Sequence, residues 1–264
     1  ITGGTITEAT GGSEYVSSSK RWYSGAGIGA GLNAGTTTIN IKDNAHIVSA
    51  TGGIYGGAGI GSGSSDTKND SKKGAVTINI TEGTIEKAEG KNGGAGIGGG
   101  RGAGATVTIS GGTIGSQDST GIVHKNDGAF SSGGAAIGGG AGASDDTTVT
   151  ISKVLIHNAE GRDGGAGIGG GKQSKGKTKI DISGDALVSA GSSGGAGIGG
   201  GSNSSQATTI NISGEAFIQK ATGGTGGAGI GGGKNSSGET KVNITGGKVN
   251  ASTGYGNGGA GIGS

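Results

Sequence analysis

The segment Gly-Ala-Gly-Ile-Gly stands at 25–29 and returns at 57–61, 94–98, 165–169, 195–199, 227–231 and 259–263; an eighth copy, 134–138, has Ala136 in place of the middle glycine. Successive isoleucines of these copies are 32, 37, 40, 31, 30, 32 and 32 residues apart. A recurrence of this length marks a solenoid, a propeller or another array of like units.

Two further apolar segments complete each period. The first is a Thr-rich alternating run, such as Thr38-Ile39-Asn40-Ile41, Val76-Thr77-Ile78-Asn79-Ile80 and Thr209-Ile210-Asn211-Ile212. Its period of two and its β-branched residues predict strands. The second follows a turn rich in Gly, Asp and Asn and centres on Ile6, Ile47, Ile85, Ile114, Ile156, Leu187, Phe217 and Val249. Three short strands per period, with no helical pattern, predict an all-β fold: a single-stranded parallel β-helix of about eight coils of 30–40 residues, about 35–40 Å long at strand spacing. The general preference for right-handed parallel crossovers predicts its hand. A propeller requires four strands per repeat and a bulkier core. Residues 1–264 are read as one solenoid domain, with a partial N-terminal coil over 1–35 and polar loop insertions near 62–73 and 116–130.

Composition decides what such a coil can contain. With 72 Gly, no Pro, no Cys, no Met and 3% aromatic residues, the interior must be thin and the backbone must supply much of the order. Collagen is excluded by the missing Pro and three-residue period, and a disulfide framework by the missing Cys. A net charge of +2 does not point to nucleic acid, and no run is long and apolar enough to span a membrane. The chain shows no signal peptide and does not begin with Met, so it reads as a mature or excised segment. It begins at the end of a Thr-rich run and stops after a Gly-rich one, which predicts uncapped edges and end-to-end self-association by coil stacking.

Four groups of residues stand out. If Ala and Ile of the Gly-rich segment point inward, Gly25, Gly27, Gly29, Gly57, Gly59, Gly61, Gly94, Gly96 and Gly98 form an outward stripe for lateral packing of another chain; the alternative is that glycine permits tight turning in a thin coil. Tyr15, Trp22, Tyr23 and Tyr55 cluster, and the spacing of Tyr23 and Tyr55 from Ile28 and Ile60 predicts that these two rings stack on adjacent coils, with Arg21 close by; the group suits a glycan or partner surface, or covers the N-terminal end. Asn69, Asn203 and Asn235 lie in Asn-x-Ser/Thr matches within loops and are candidate glycosylation sites. The Thr-x-Thr pairs of the alternating run resemble ice-binding faces, but Lys179 and Lys241 interrupt them. His46, His124 and His157 show no acid partner in the repeat pattern, so no catalytic residue, metal site or cofactor is expected.

The units Ile212-Ser213-Gly214, Ala221-Thr222-Gly223-Gly224 and Gly226-Gly227-Ala228-Gly229-Ile230-Gly231-Gly232-Gly233 resemble the Gly-rich repeats of large bacterial surface and adhesin-like proteins. The resemblance covers essentially the whole chain. It implies an extracellular or cell-surface structural protein, a building block of a fibre or of a long surface protein. It also implies an adhesive role; a carbohydrate-binding adhesin segment that takes a polysaccharide or cell-surface glycan at the Tyr15, Trp22, Tyr23 and Tyr55 group is the alternative reading.

Overall fold

The structure, a computed structural model, describes residues 1–17, 21–31, 34–64, 76–116, 122–125, 133–253 and 258–263, without the side chains of 21 and 122–125. Among these residues each repeat segment pairs in parallel with its counterpart one repeat away, building three stacked sheets. The Thr sheet has seven strands, from Thr37–Ile41 to Thr240–Ile244; the Gly sheet has eight, from Ile28–Gly29 to Ile262–Gly263; the long sheet has ten, from Thr5–Ile6 to Lys248–Thr253. The chain is a parallel β-helix, one coil per period.

Alternation in the Thr sheet turns the β-branched aliphatics inward. Ile39, Ile78, Val107, Val149, Ile180, Ile210 and Val242 form one ladder in register, all but Val242 buried. Each fully buried Ile contributes about 1.5–3 kcal/mol. The long sheet supplies a second ladder, Ile6, Ile47, Ile85, Ile114, Ile156, Val188, Ile218 and Val249. Here the expected centres Leu187 and Phe217 are corrected. Both lie on the outer face, in register with Leu155 and Lys248, and Phe217 is 37% exposed. Leu-Val and Phe-Ile are apolar at both positions, so alternation alone does not choose the inward one, and the β-branched residue takes it.

The Gly-rich segment is not an extended strand with one outward face. In the seven coils from Ile28 to Ile230 it is a closed bend: the N–H of Ala58 donates to the carbonyl of Ser62, and Ala95 to Gly99, Ala166 to Gly170, Ala196 to Gly200 and Ala228 to Gly232 repeat this. Each bend then donates three hydrogen bonds to the next; Gly59, Ile60 and Ser62 donate to Ala95, Gly96 and Gly98 at 2.9–3.2 Å. The flanks are joined by a further recurring contact. The N–H four residues after each Ile reaches the carbonyl four residues before the preceding Ile, as in Ser64 to Ser24, Arg101 to Gly56, Ala141 to Gly93, Lys172 to Gly133, Ser202 to Gly164 and Lys234 to Gly194. This neck closes over the bend and takes it inside the coil.

Two glycine positions are dictated by that geometry. The residue after each Ile has φ between 130° and 148°, and a Cβ on Gly61 or Gly98 would overlap the carbonyl oxygen of the same glycine in the next coil. The residue before each Ile faces the long sheet. A Cβ on Gly59 would stand 2.6 Å from the Glu89 nitrogen and 2.8 Å from the Ala50 oxygen. The exception, Ala136, lies in the coil whose long-sheet strand is split into Thr113–Ile114 and Ile122–Lys125. The second piece pairs with Thr84–Lys91 and Leu155–Gly161, so this part of the expected 116–130 loop is a strand. Of the other insertion, Ser62 and Ser64 are buried in the neck, and residues 65–73 lie outside the described residues.

Gly98→Ala should destabilise the protein by more than about 3 kcal/mol, because strained φ and overlap with backbone add. Gly31→Ala, at a site with no atom within 4 Å of the new methyl, should change stability by less than about 1 kcal/mol. Urea unfolding of both variants checks the pair.

Candidate functional site

The expected glycine stripe is not a surface. Gly57, Gly59, Gly61, Gly94, Gly96 and Gly98 are buried, Gly25 and Gly27 are half-buried, and only Gly29, in the first coil, is exposed. The close approach that glycine permits is real, but the approaching backbone belongs to this chain's own neighbouring coils and long sheet. Strict strand alternation gave the outward direction, and the bend breaks that alternation.

The aromatic residues do converge, on a device the repeat pattern did not foretell. Ser13–Val16 and Arg21–Ser24 form an antiparallel hairpin, inserted between the long-sheet and Gly-sheet segments of the first coil. Cross-strand pairing sets Tyr15 opposite Trp22, and their ring centroids are 5.0 Å apart at 50°. Trp22 stacks on Tyr55 at 4.4 Å and 19°. The partner of Tyr55 is therefore Trp22 where Tyr23 was expected; Tyr23 alternates to the other hairpin face, opposite Glu14. The hairpin root is tied to the next coil through its serines. Ser13 Oγ accepts from the Ile54 N–H at 2.8 Å and Ser24 Oγ from the Tyr55 N–H at 2.7 Å. Asn92 of the following coil donates its Nδ2 to the Ile54 carbonyl at 2.5 Å. Tyr15, Trp22 and Ile54 remain 45–48% exposed, so the cluster is at once a fastening and an apolar surface.

Asn203 and Asn235 occupy exposed left-handed turn positions, φ 55° and 54°, on adjacent coils; Asn69 and the His124 side chain lie outside the described residues. The Asn residues of the Thr sheet differ. Their amides are engaged in ladders: Asn79 donates to Asn40 at 2.9 Å, Asn211 to Asp181 at 2.6 Å and Asn243 to Asn211 at 2.7 Å.

Further pairings arise across stacked coils and between alternate residues of one strand. His46 Nε2 meets Glu86 Oε1 at 2.6 Å, an acid partner that sequence spacing did not reveal. Lys179 Nζ lies 2.9 Å from Asp181. Burial pushes the Asp181 carboxyl up, but the hydrogen bonds from Asn211 and Lys179 and the lysine charge outweigh it and hold the carboxyl below its ordinary value. Glu89 is nearly fully buried between Lys87 Nζ at 2.8 Å and Lys91 Nζ at 2.6 Å. Burial raises it, and the two ammonium groups more than compensate, so its pKa is also lowered. Among the described residues no group of three or more His, Asp or Glu is placed to hold a metal, and no helix is long and apolar enough to cross a membrane.

A family model for the beta helix repeat matches residues 1–32, 78–101 and 242–264. These three matches fall on the first, third and last of the eight coils. They agree with the fold and carry no activity with them. No curated protein and no solved structure matches the chain.

The two carboxylates predict an acid response. A folded pKa below the unfolded one contributes stability that is complete above the unfolded value and lost as pH falls through the folded one. Stability should therefore decline below the ordinary carboxylate range, about pH 4. Glu89→Gln should shrink that decline while lowering stability near neutrality by about 1–3 kcal/mol. Urea midpoints measured across pH for both proteins check this.

Proposed function

We propose that this β-helix is an extracellular structural element, a rod within a fibre or a long cell-surface protein, extended by further coil stacking. One observation carries the reading: what repeats is inside. The Gly-Ala-Gly-Ile-Gly bend and the aliphatic ladders recur from coil to coil and are buried in all but the first and last. The outward column of the Thr sheet instead reads Thr38, Thr77, Thr106, Thr148, Lys179, Thr209 and Lys241, five threonines interrupted by two lysines, so no one outer chemistry runs through all the coils. Selection that acts on interior residues maintains a shape, whereas a repeated ligand or an ice lattice requires a repeated outer face.

Material isolated from its source should sit in the secreted or surface fraction. It should form rods of constant width, with fibre diffraction near 4.8 Å along the rod axis, the stacking distance of the coils. Compact particles without end-to-end contact at high concentration, or confinement to the cell interior, would count against the reading.

A second reading, a carbohydrate-binding adhesin segment, is favoured by the half-exposed Tyr15 and Trp22. Trp22→Ala should then abolish retention on a glycan array while leaving the far-ultraviolet spectrum of the coils intact. Failure of the parent protein to bind any glycan on the array would remove this reading.

A further inference from the structure

The outer mouth of the neck carries a second, unrelated feature. Over the coils of Ile168, Ile198 and Ile230 it widens into a trough of about 390 Å³, walled by Asp163, Lys172, Ser202, Asn203, Lys234 and Asn235. Its floor is Gly164 and Gly194. A Cβ on Gly164 would stand 3.1 Å from Lys172 Cδ and from Ser202 Oγ, so a side chain there would fill the space the trough now leaves. The lysines lie four residues after Ile168 and Ile230, two coils apart, about 10 Å at strand spacing, with Ser202 between them.

We propose that this trough binds an anionic saccharide, its carboxylate or sulfate held between Lys172 and Lys234 and its hydroxyls by Asn203, Asn235 and Asp163. Three observations lead there. First, hydrogen-bonding capacity is unspent. Among the described residues, the side chains of Asp163, Asn203, Lys234 and Asn235 make no ion pair or hydrogen bond, whereas outward polar groups elsewhere pair across coils, as Asn79 with Asn40, Asn211 with Asp181 and Ser189 with Gln219. Second, among the described residues two lysines and one aspartate line the trough, which favours a ligand with a single negative group over a neutral or cationic one. Third, these described walls hold amides, a hydroxyl, ammonium groups and a carboxylate but no aromatic ring and no large aliphatic side chain. A nucleobase would find no ring among them to stack on and an apolar peptide side chain no aliphatic surface to bury against, while a polyhydroxylated ring can both donate and accept at these walls. One coil rise is comparable with the length of one pyranose unit, so successive coils can meet successive sugars. The site is independent of the rod reading, since it uses three coils whether or not more coils follow.

Calorimetric titration of the full chain at low salt with three hexasaccharides tests the site: hyaluronan, which carries carboxylates, heparin, which adds sulfates, and neutral maltohexaose. At least one anionic probe should bind with a Kd below about 1 mM, and maltohexaose at least about tenfold more weakly. Binding of hyaluronan identifies the carboxylate as sufficient, and binding of heparin alone identifies the sulfate. Lys172→Gln/Lys234→Gln should weaken the anionic probe at least about tenfold, and Asn203→Ala/Asn235→Ala should weaken it with little change in salt dependence. Lys179→Gln/Lys241→Gln, which removes the same charge from the Thr sheet, should leave it unchanged. Absence of binding, equal binding of maltohexaose, or an equal loss in both lysine pairs would overturn the proposal. Thermal melts of each variant separate loss of binding from loss of fold.

Discussion

The backbone of the inward bend must pass its neighbours at a distance that leaves no room for a Cβ, and the other features of the coil adjust to that constraint. A chain with few large apolar side chains cannot fill a wide interior with them. It folds part of its own backbone inside instead and satisfies the buried amides by stacking bend on bend, three hydrogen bonds to each joint. The aliphatic ladders of the Thr and long sheets then have only narrow spaces left to occupy, and Ile and Val suffice. Glycine at the residues flanking Ile, with Ala136 the one departure, is thus a packing requirement. The neck bond makes the arrangement cooperative between coils, because the closure of one bend is supplied partly by the next.

This division explains where length varies. The nine residues from four before to four after each Ile keep their number in each coil that the neck spans, since any insertion would misplace one end of the neck. The differences between periods fall elsewhere: the longest two periods have their extra residues outside these nine, and the aromatic hairpin of the first coil is inserted between its long-sheet and Gly-sheet segments. The hairpin departs from the repeat and is held by serine hydroxyls and stacked rings. The nearly buried Glu89 lies in the strand that also accepts the extra piece Ile122–Lys125, so charge and irregularity meet in one region.

Much of the architecture was legible in the sequence because the period and the β-branched alternation are both strong signals. The Thr sheet is the clearest instance: every residue expected inward from Ile39 to Val242 is in the ladder. Orientation was legible only where polar and apolar residues alternate. At Leu187-Val188 and Phe217-Ile218 they do not, and the larger residue was taken for the inward one. The glycine stripe failed for a deeper reason. Glycine carries no side chain whose polarity could report which way it faces, so a bend and a strand look alike in sequence. The His46–Glu86 contact and the neck trough were not readable from spacing either, because coils of 30 to 40 residues bring together positions whose separation varies from joint to joint.

The bend-to-bend hydrogen bonds also have a direction. At each joint the three N–H groups of one bend point toward the next coil along the chain, while the neck and the sheet flanks, such as Thr81 to Ile41 and Lys91 to Gly57, return bonds the other way. Within the column of bends the donors therefore all face one way and the acceptors the other. A coil turned end over end would set N–H against N–H in that column, so coils can stack there in one sense only.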